Sequence, residues 1–87
     1  MKIRVEFFGL ARTRAGVAQA DLEVSNLRDA LDQLRVQFDD LSRTCFESGQ
    51  LRSGWVLNIN GHSFVRDLDV ELKEYDCVLL MSADVGG

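Results

Sequence analysis

The N-terminal stretch KIRVEFF alternates: Ile3, Val5 and Phe7 fall on one side, and Arg4, Glu6 and Phe8 on the other. A period of two predicts a half-buried strand. Residues 9–18, with Gly9 and Gly16, predict a loop. Residues 19–24 (QADLEV) alternate again through Ala20, Leu22 and Val24, which predicts a second strand antiparallel to the first. At Ser25 the period changes. Leu27, Ala30, Leu31, Leu34 and Phe38 recur at helical spacing and make one apolar stripe. Ser25 or Asn26 is placed to cap this helix, with Asp29 and Asp32 near the positive end of its dipole. Leu41, Cys45 and Phe46 predict a short second helix ended by Gly49. WVLNIN (residues 55–60) predicts a third strand, Asn60-Gly61 a two-residue hairpin turn, and HSFV the answering strand. Residues 67–76 predict a loop with room for one helical turn, and CVLLM (residues 77–81) the last strand.

The order β-β-α-β-(β)-β predicts an α+β domain with one main helix packed across one face of a mixed sheet. The last strand, apolar over five positions, belongs in the middle of that sheet, beside the first strand and parallel to it. This is the β-grasp, or ubiquitin-like, arrangement. Val78 and Leu80 then face the helix, while Cys77, Leu79 and Met81 face outward, with Phe8 pointing the same way. Apolar residues clustered on an open sheet face predict a docking patch formed by Phe8, Leu79 and Met81.

Composition narrows the functional classes. The 87 residues make one domain, with 46% apolar and 28% charged residues. No apolar run approaches the roughly 20 residues of a membrane span, and the N-terminus lacks the pattern of a secretory signal. The net charge of −4, with arginines dispersed among the acids, argues against a nucleic-acid surface and favours a partner with a basic docking face. Cys45 and Cys77 form no Cys-x-x-Cys pair and are expected as reduced thiols of a cytoplasmic protein. His62 is single and has no cysteine at metal spacing, so no metal site is expected. Ser63 and Ser82 lack triad company, the glycines form no phosphate loop, and Asp39-Asp40 and Asp67-x-Asp69 fit a solvated surface. The chain is not expected to catalyse a reaction alone.

The last nine residues, LLMSADVGG, end on two glycines, and a strand running into Gly86-Gly87 is a specific signal. Residues 51–87 resemble the C-terminal half of the MoaD/ThiS sulfur carriers: a strand ending in Asn-Gly, then a turn, an apolar strand and a terminal Gly-Gly. The opening KIRVEFFGLAR resembles the MoaD start, where an apolar strand ends in Phe-Phe. The resemblance spans nearly the whole chain. It departs at Glu74-Tyr75-Asp76, where the family carries Asp-Gly-Asp, so a tight glycine turn is expected to be lost. It departs again at Ser82 and Ala83, where the family has prolines, and at Asp84.

The resemblance implies a single domain, residues 1–87, with a flexible tail from about residue 82. It implies a sulfur carrier whose Gly87 carboxylate is adenylated and converted to a thiocarboxylate, with Gly86 lacking a Cβ so that the tail threads a narrow slot. Asp84 and Val85 would contact partners alongside the outward patch. The ATP would belong to a MoeB-like adenylating enzyme, the sulfur would come through a sulfurtransferase, and a MoaE-like large subunit would receive the tail. Chain length favours the small subunit of a molybdopterin synthase over the shorter ThiS carriers, with residues 39–54 as the extra material. Carriers for thiamine, cysteine or tRNA thiolation, a ubiquitin-like modifier joined to lysines, and a binding module with an inert tail stay open.

Overall fold

The alternation at the start of the chain becomes a strand, β1 (Lys2–Phe7), with Ile3, Val5 and Phe7 buried. The computed structural model describes residues 1–82. The expected loop after β1 holds a short helix, α1 (Leu10–Ala15), between Gly9 and Gly16. Six residues are too few to be helical alone. Ala11, fully buried, docks the turn on the core, and Gly16, at φ 79°, ends it by donating its N–H to the Arg12 carbonyl. β2 (Gln19–Glu23) follows and pairs antiparallel with β1, Ile3 opposite Leu22.

The main helix, α2 (Leu27–Gln37), starts at Asn26, whose side chain accepts from the Asp29 N–H at 2.8 Å. Asp29 reciprocates one residue earlier, accepting from the Ser25 N–H at 2.9 Å. Leu27, Ala30, Leu31 and Leu34 are its buried stripe. The second helix, α3 (Asp39–Cys45), is not ended by Gly49 as the spacing suggested. The chain turns extended at Phe46 and enters a two-stranded ribbon, β3 (Phe46–Glu47) and β4 (Gln50–Leu51). Ser48 and Gly49, both at positive φ, form its turn, which is the geometry of a tight hairpin.

β5 (Trp55–Ile59) and β6 (Ser63–Val65) pair antiparallel, with Ile59 opposite Ser63. Asn60-Gly61 does turn the chain, at φ 58° and 76°, but the loop takes in His62 as well, whose N–H donates to the Ile59 carbonyl. Residues 66–76 contain hydrogen-bonded turns and no helical turn, with Leu68 and Leu72 anchored in the core. β7 (Cys77–Ser82) closes the five-stranded sheet, whose order is β2-β1-β7-β5-β6. The expected placement of the last strand is what the sheet shows: β7 lies between β1, parallel, and β5, antiparallel. The helices lie on one side, where the rings of Phe7 and Phe38 meet edge to face at 5.4 Å. Each fully buried leucine there contributes about 1.5–3 kcal/mol of hydrophobic stabilisation.

The turn before β7 corrects a further expectation. The tight turn survives without glycine, because Tyr75 itself adopts φ 69° and its N–H donates to the Lys2 carbonyl at 2.6 Å. Asp76 holds it in place. Its carboxylate accepts from the Asn60 side-chain amide (2.9 Å) and the Lys73 N–H (2.8 Å), and its carbonyl accepts from the Arg4 N–H (3.0 Å). Asn60 Oδ1 in turn accepts from the Cys77 N–H at 2.8 Å. A hydrogen-bond network anchored on the buried Asp76, in which each member has partners, fixes one register, here that of β7.

Candidate functional site

The face of the sheet opposite the helices follows from strand alternation. Val78 and Leu80 are buried on the inner side, so Cys77, Leu79 and Met81 point to the outer side, where all three are half-buried. The register then names their neighbours. Leu79 stands between Glu6 of β1 and Asn58 of β5, and Asn58 stands beside Phe64 of β6. Met81 pairs with Val56. Phe8 lies one residue beyond β1, yet its N–H stays on the ladder, donating to the Leu80 carbonyl at 3.1 Å, and its side chain is 41% exposed. Phe64 is 68% exposed.

Phe8, Leu79 and Met81 are thus brought to one face, and Val56, Asn58 and Phe64 extend it across β5 and β6. Sequence reasoning missed these three, although the signal was present. In WVLNI the alternation that buries Trp55 and Leu57 sends Val56 and Asn58 to the other side.

Toward β2 the same face becomes polar. Arg4 donates to Asp21 at 3.1 Å, and Cys77 lends its S–H to a Glu6 carboxylate oxygen at 3.3 Å. With Tyr75 these residues line an open hollow of about 620 Å³. Burial, then the bond to Glu6, pushes the Cys77 thiol up to about 11. Burial alone pushes the Cys45 thiol up to about 12. Both are free thiols, and neither is poised as a nucleophile. His62 is exposed in its turn. Among the described residues no three His, Cys, Asp or Glu side chains converge as metal ligands, and no helix is long and apolar enough to cross a membrane.

Gly86 and Gly87, and with them Asp84 and Val85, lie outside the described residues. The structure does place the root of that segment: Ser82, the last residue of β7, pairs with Trp55 at the edge of the outward patch.

A mixed sheet with its first and last strands parallel at the centre, and helices on one side only, is the β-grasp, or ubiquitin-like, fold. Its structural neighbours are ubiquitin-like carriers and modifiers, the sulfur-carrier family that the sequence resembles. The small archaeal modifier protein SAMP1 from Methanosarcina acetivorans superposes with a TM-score of 0.84 at 25% identity, over 99% of this chain and 96% of that one. A putative molybdopterin converting factor subunit 1 from Pyrococcus furiosus gives 0.76 at 26% identity, over 94% and 97%. Subunit 1 in the Helicobacter pylori complex of molybdopterin-converting factor subunits 1 and 2 gives 0.68 at 20% identity, over 94% and 93%. No protein-family model matches the chain, and no curated protein matches its sequence.

Proposed function

We propose that the protein is a sulfur carrier, acting as the small subunit of a molybdopterin synthase. A MoeB-like enzyme adenylates Gly87: a carboxylate oxygen attacks the α-phosphorus of ATP, pyrophosphate departs, and the acyl carbon gains AMP as its leaving group in place of oxide. The outer sulfur of a sulfurtransferase persulfide then attacks the acyl carbon and AMP departs; a second thiol cleaves the resulting acyl disulfide, forming a disulfide with the sulfurtransferase cysteine and leaving a thiocarboxylate on Gly87. A MoaE-like large subunit receives the tail and takes its sulfur. The carrier contributes no base, metal or oxyanion hole. Its work is to present the terminus and to dock.

The observation that carries this proposal is the position of β7. The strand leading to Gly86-Gly87 is central, hydrogen-bonded on both sides, so the tail root is held at a defined place beside Phe8, Leu79 and Met81. A tail that must enter a partner's site gains from such a fixed origin, because less freedom is lost on docking. The fold shared with a converting-factor subunit solved together with its own second subunit supports a partner of that kind.

The likeness to an archaeal modifier protein favours one second reading, in which Gly87 is joined to a lysine of a target through an isopeptide bond.

Adding one residue after Gly87 tests both, since each requires that carboxylate. The extended chain should melt as the parent does, yet acquire no thiocarboxylate, by mass spectrometry, when incubated with adenylating enzyme, ATP and sulfur donor. An extended chain that still loads sulfur would rule out the carboxylate. A parent chain recovered on target lysines rather than as thiocarboxylate selects the modifier.

A further inference from the structure

Asn58 is buried to 4% exposure on the outer face of the sheet, and among the described residues its side-chain oxygen has no hydrogen-bond partner. Buried amides in folded proteins are bonded almost without exception, because a desolvated polar group without a partner destabilises the fold. Nothing about the sheet requires an asparagine here. Its backbone takes part in the ladders to β6 and β7, and an apolar side chain of similar volume would do that equally well. Asparagine is also a poor strand former. The residue is therefore worse for the free fold than an obvious alternative.

Its surroundings are what a docking surface provides at its centre. The register sets Asn58 between Leu79 and Phe64, with the Val56–Met81 pair in the adjoining outward row. Once a partner covers Phe8, Leu79, Met81 and Phe64, the amide sits in a largely apolar ring of Leu79, Phe64, Val56 and Met81, with Asn60 on its remaining side, and is shielded from water. A charged donor in such a ring loses more by desolvation than one neutral acceptor returns. A neutral N–H suffers far less.

We propose that Asn58 is the polar specificity determinant of the outward face: it accepts a hydrogen bond from a neutral N–H, of a peptide group or carboxamide, set among apolar side chains of the protein that receives the tail. The soft terminal torsion of asparagine lets the amide turn its oxygen toward that donor. The inference rests on the carrier reading for the identity of the partner. It adds to that reading one residue that selects among apolar partners by leaving a wrong one's contact unsatisfied.

The test compares the parent chain with Asn58→Leu and Asn58→Ala, measuring thermal melting of the free chain and titrating each, by calorimetry, into a co-expressed MoaE-type large subunit. Asn58→Leu is expected to melt at or above the parent temperature, and both variants to bind about ten- to a hundredfold more weakly. A lower melting point for Asn58→Leu overturns the inference, because the amide then serves the fold. Undiminished affinity in both variants overturns it as well, while the carrier reading stands. A parent chain that does not bind the large subunit removes both. Sedimentation of the free chain adds an outcome: self-association lost in Asn58→Leu with partner affinity intact would assign the face to a second copy instead.

Discussion

On the inner face of the sheet Val5, Phe7, Leu57, Val78 and Leu80 are buried against the helices, whereas the same strands turn Glu6, Val56, Leu79 and Met81 to a face that none of the described helices covers. Backbone, hydrogen bonding and strand order are common to both faces, so only the side chains differ. The inner side chains are aliphatic or aromatic and leave no polar atom unsatisfied. The outer ones include an amide oxygen with no partner among the described residues, exposed aromatic rings and, at the rim, a tyrosine in the left-handed region. The inner face is what folding alone selects. The outer face departs from that optimum at Asn58 and Tyr75, and such departures concentrate where a surface has a second task.

The sharpest way to break this contrast uses adjacent residues. Leu80→Ala, on the inner face, should destabilise the domain by about 3 kcal/mol, because it removes buried methyl groups from a packed core. Leu79→Glu, one position earlier, should cost less, about 1 kcal/mol, from a half-buried side chain and a carboxylate set opposite Glu6, while strongly weakening partner binding. Denaturant melts of both variants, with a partner titration of Leu79→Glu, decide the matter. Comparable losses of stability would show that the two faces are not distinct in kind.

The cysteines sharpen the comparison. Cys45 is in the core and Cys77 on the outer face, yet both thiols are raised from the ordinary value of 9.0, to about 12 and about 11. At pH 8 Cys77 should be alkylated by iodoacetamide about a hundredfold more slowly than a free thiol, in proportion to its smaller thiolate fraction, and Cys45 more slowly still. Mass spectrometry over time reads this directly, and rapid labelling of Cys77 would contradict its environment. The linked effect on stability has a definite sign. Both values are raised on folding, so the contribution is complete below about pH 9 and is lost as pH climbs through the folded values. Urea melts should move to lower midpoints above pH 9, and the Glu6→Gln variant should narrow that window by lowering the Cys77 value.

The smallest expected effect has the opposite sign. Tyr75 is 77% exposed and held at φ 69°, a conformation that strains a bulky residue and suits glycine. Tyr75→Gly should therefore stabilise the free domain, by about 1 kcal/mol, visible as a rise in melting temperature. A fall would mean that the ring contributes packing which outweighs the backbone strain.

Much of the architecture was legible in the sequence for a plain reason. A sheet with one face against helices repeats its apolar residues every two positions, and a helix on that sheet repeats them every three or four. β1, β2, α2, β5 and β7 are long enough to show those periods. Elements that escaped notice are short and depend on contacts distant in sequence. α1 is helical because Ala11 reaches the core, and β3 and β4 have only two residues each. The docking residues divide in the same way. Phe8, Leu79 and Met81 followed from alternation within β1 and β7, and alternation within β5 likewise sends Val56 and Asn58 outward, whereas Phe64 joined them only through the register of β6 on β5.

What the sequence by itself determined is the set of strong periods and the fold they build, because these depend on local spacing. The tertiary structure alone decided that Tyr75 would take the left-handed place of a glycine, since the Asp76–Asn60 network and the Lys2 carbonyl hold that turn. It alone decided that the Asn58 side-chain oxygen would be buried with no hydrogen-bond partner among the described residues. Burial is a property of what the register sets around a residue, and the residues set around Asn58 come from strands 6 and 21 positions away, at Phe64 and Leu79.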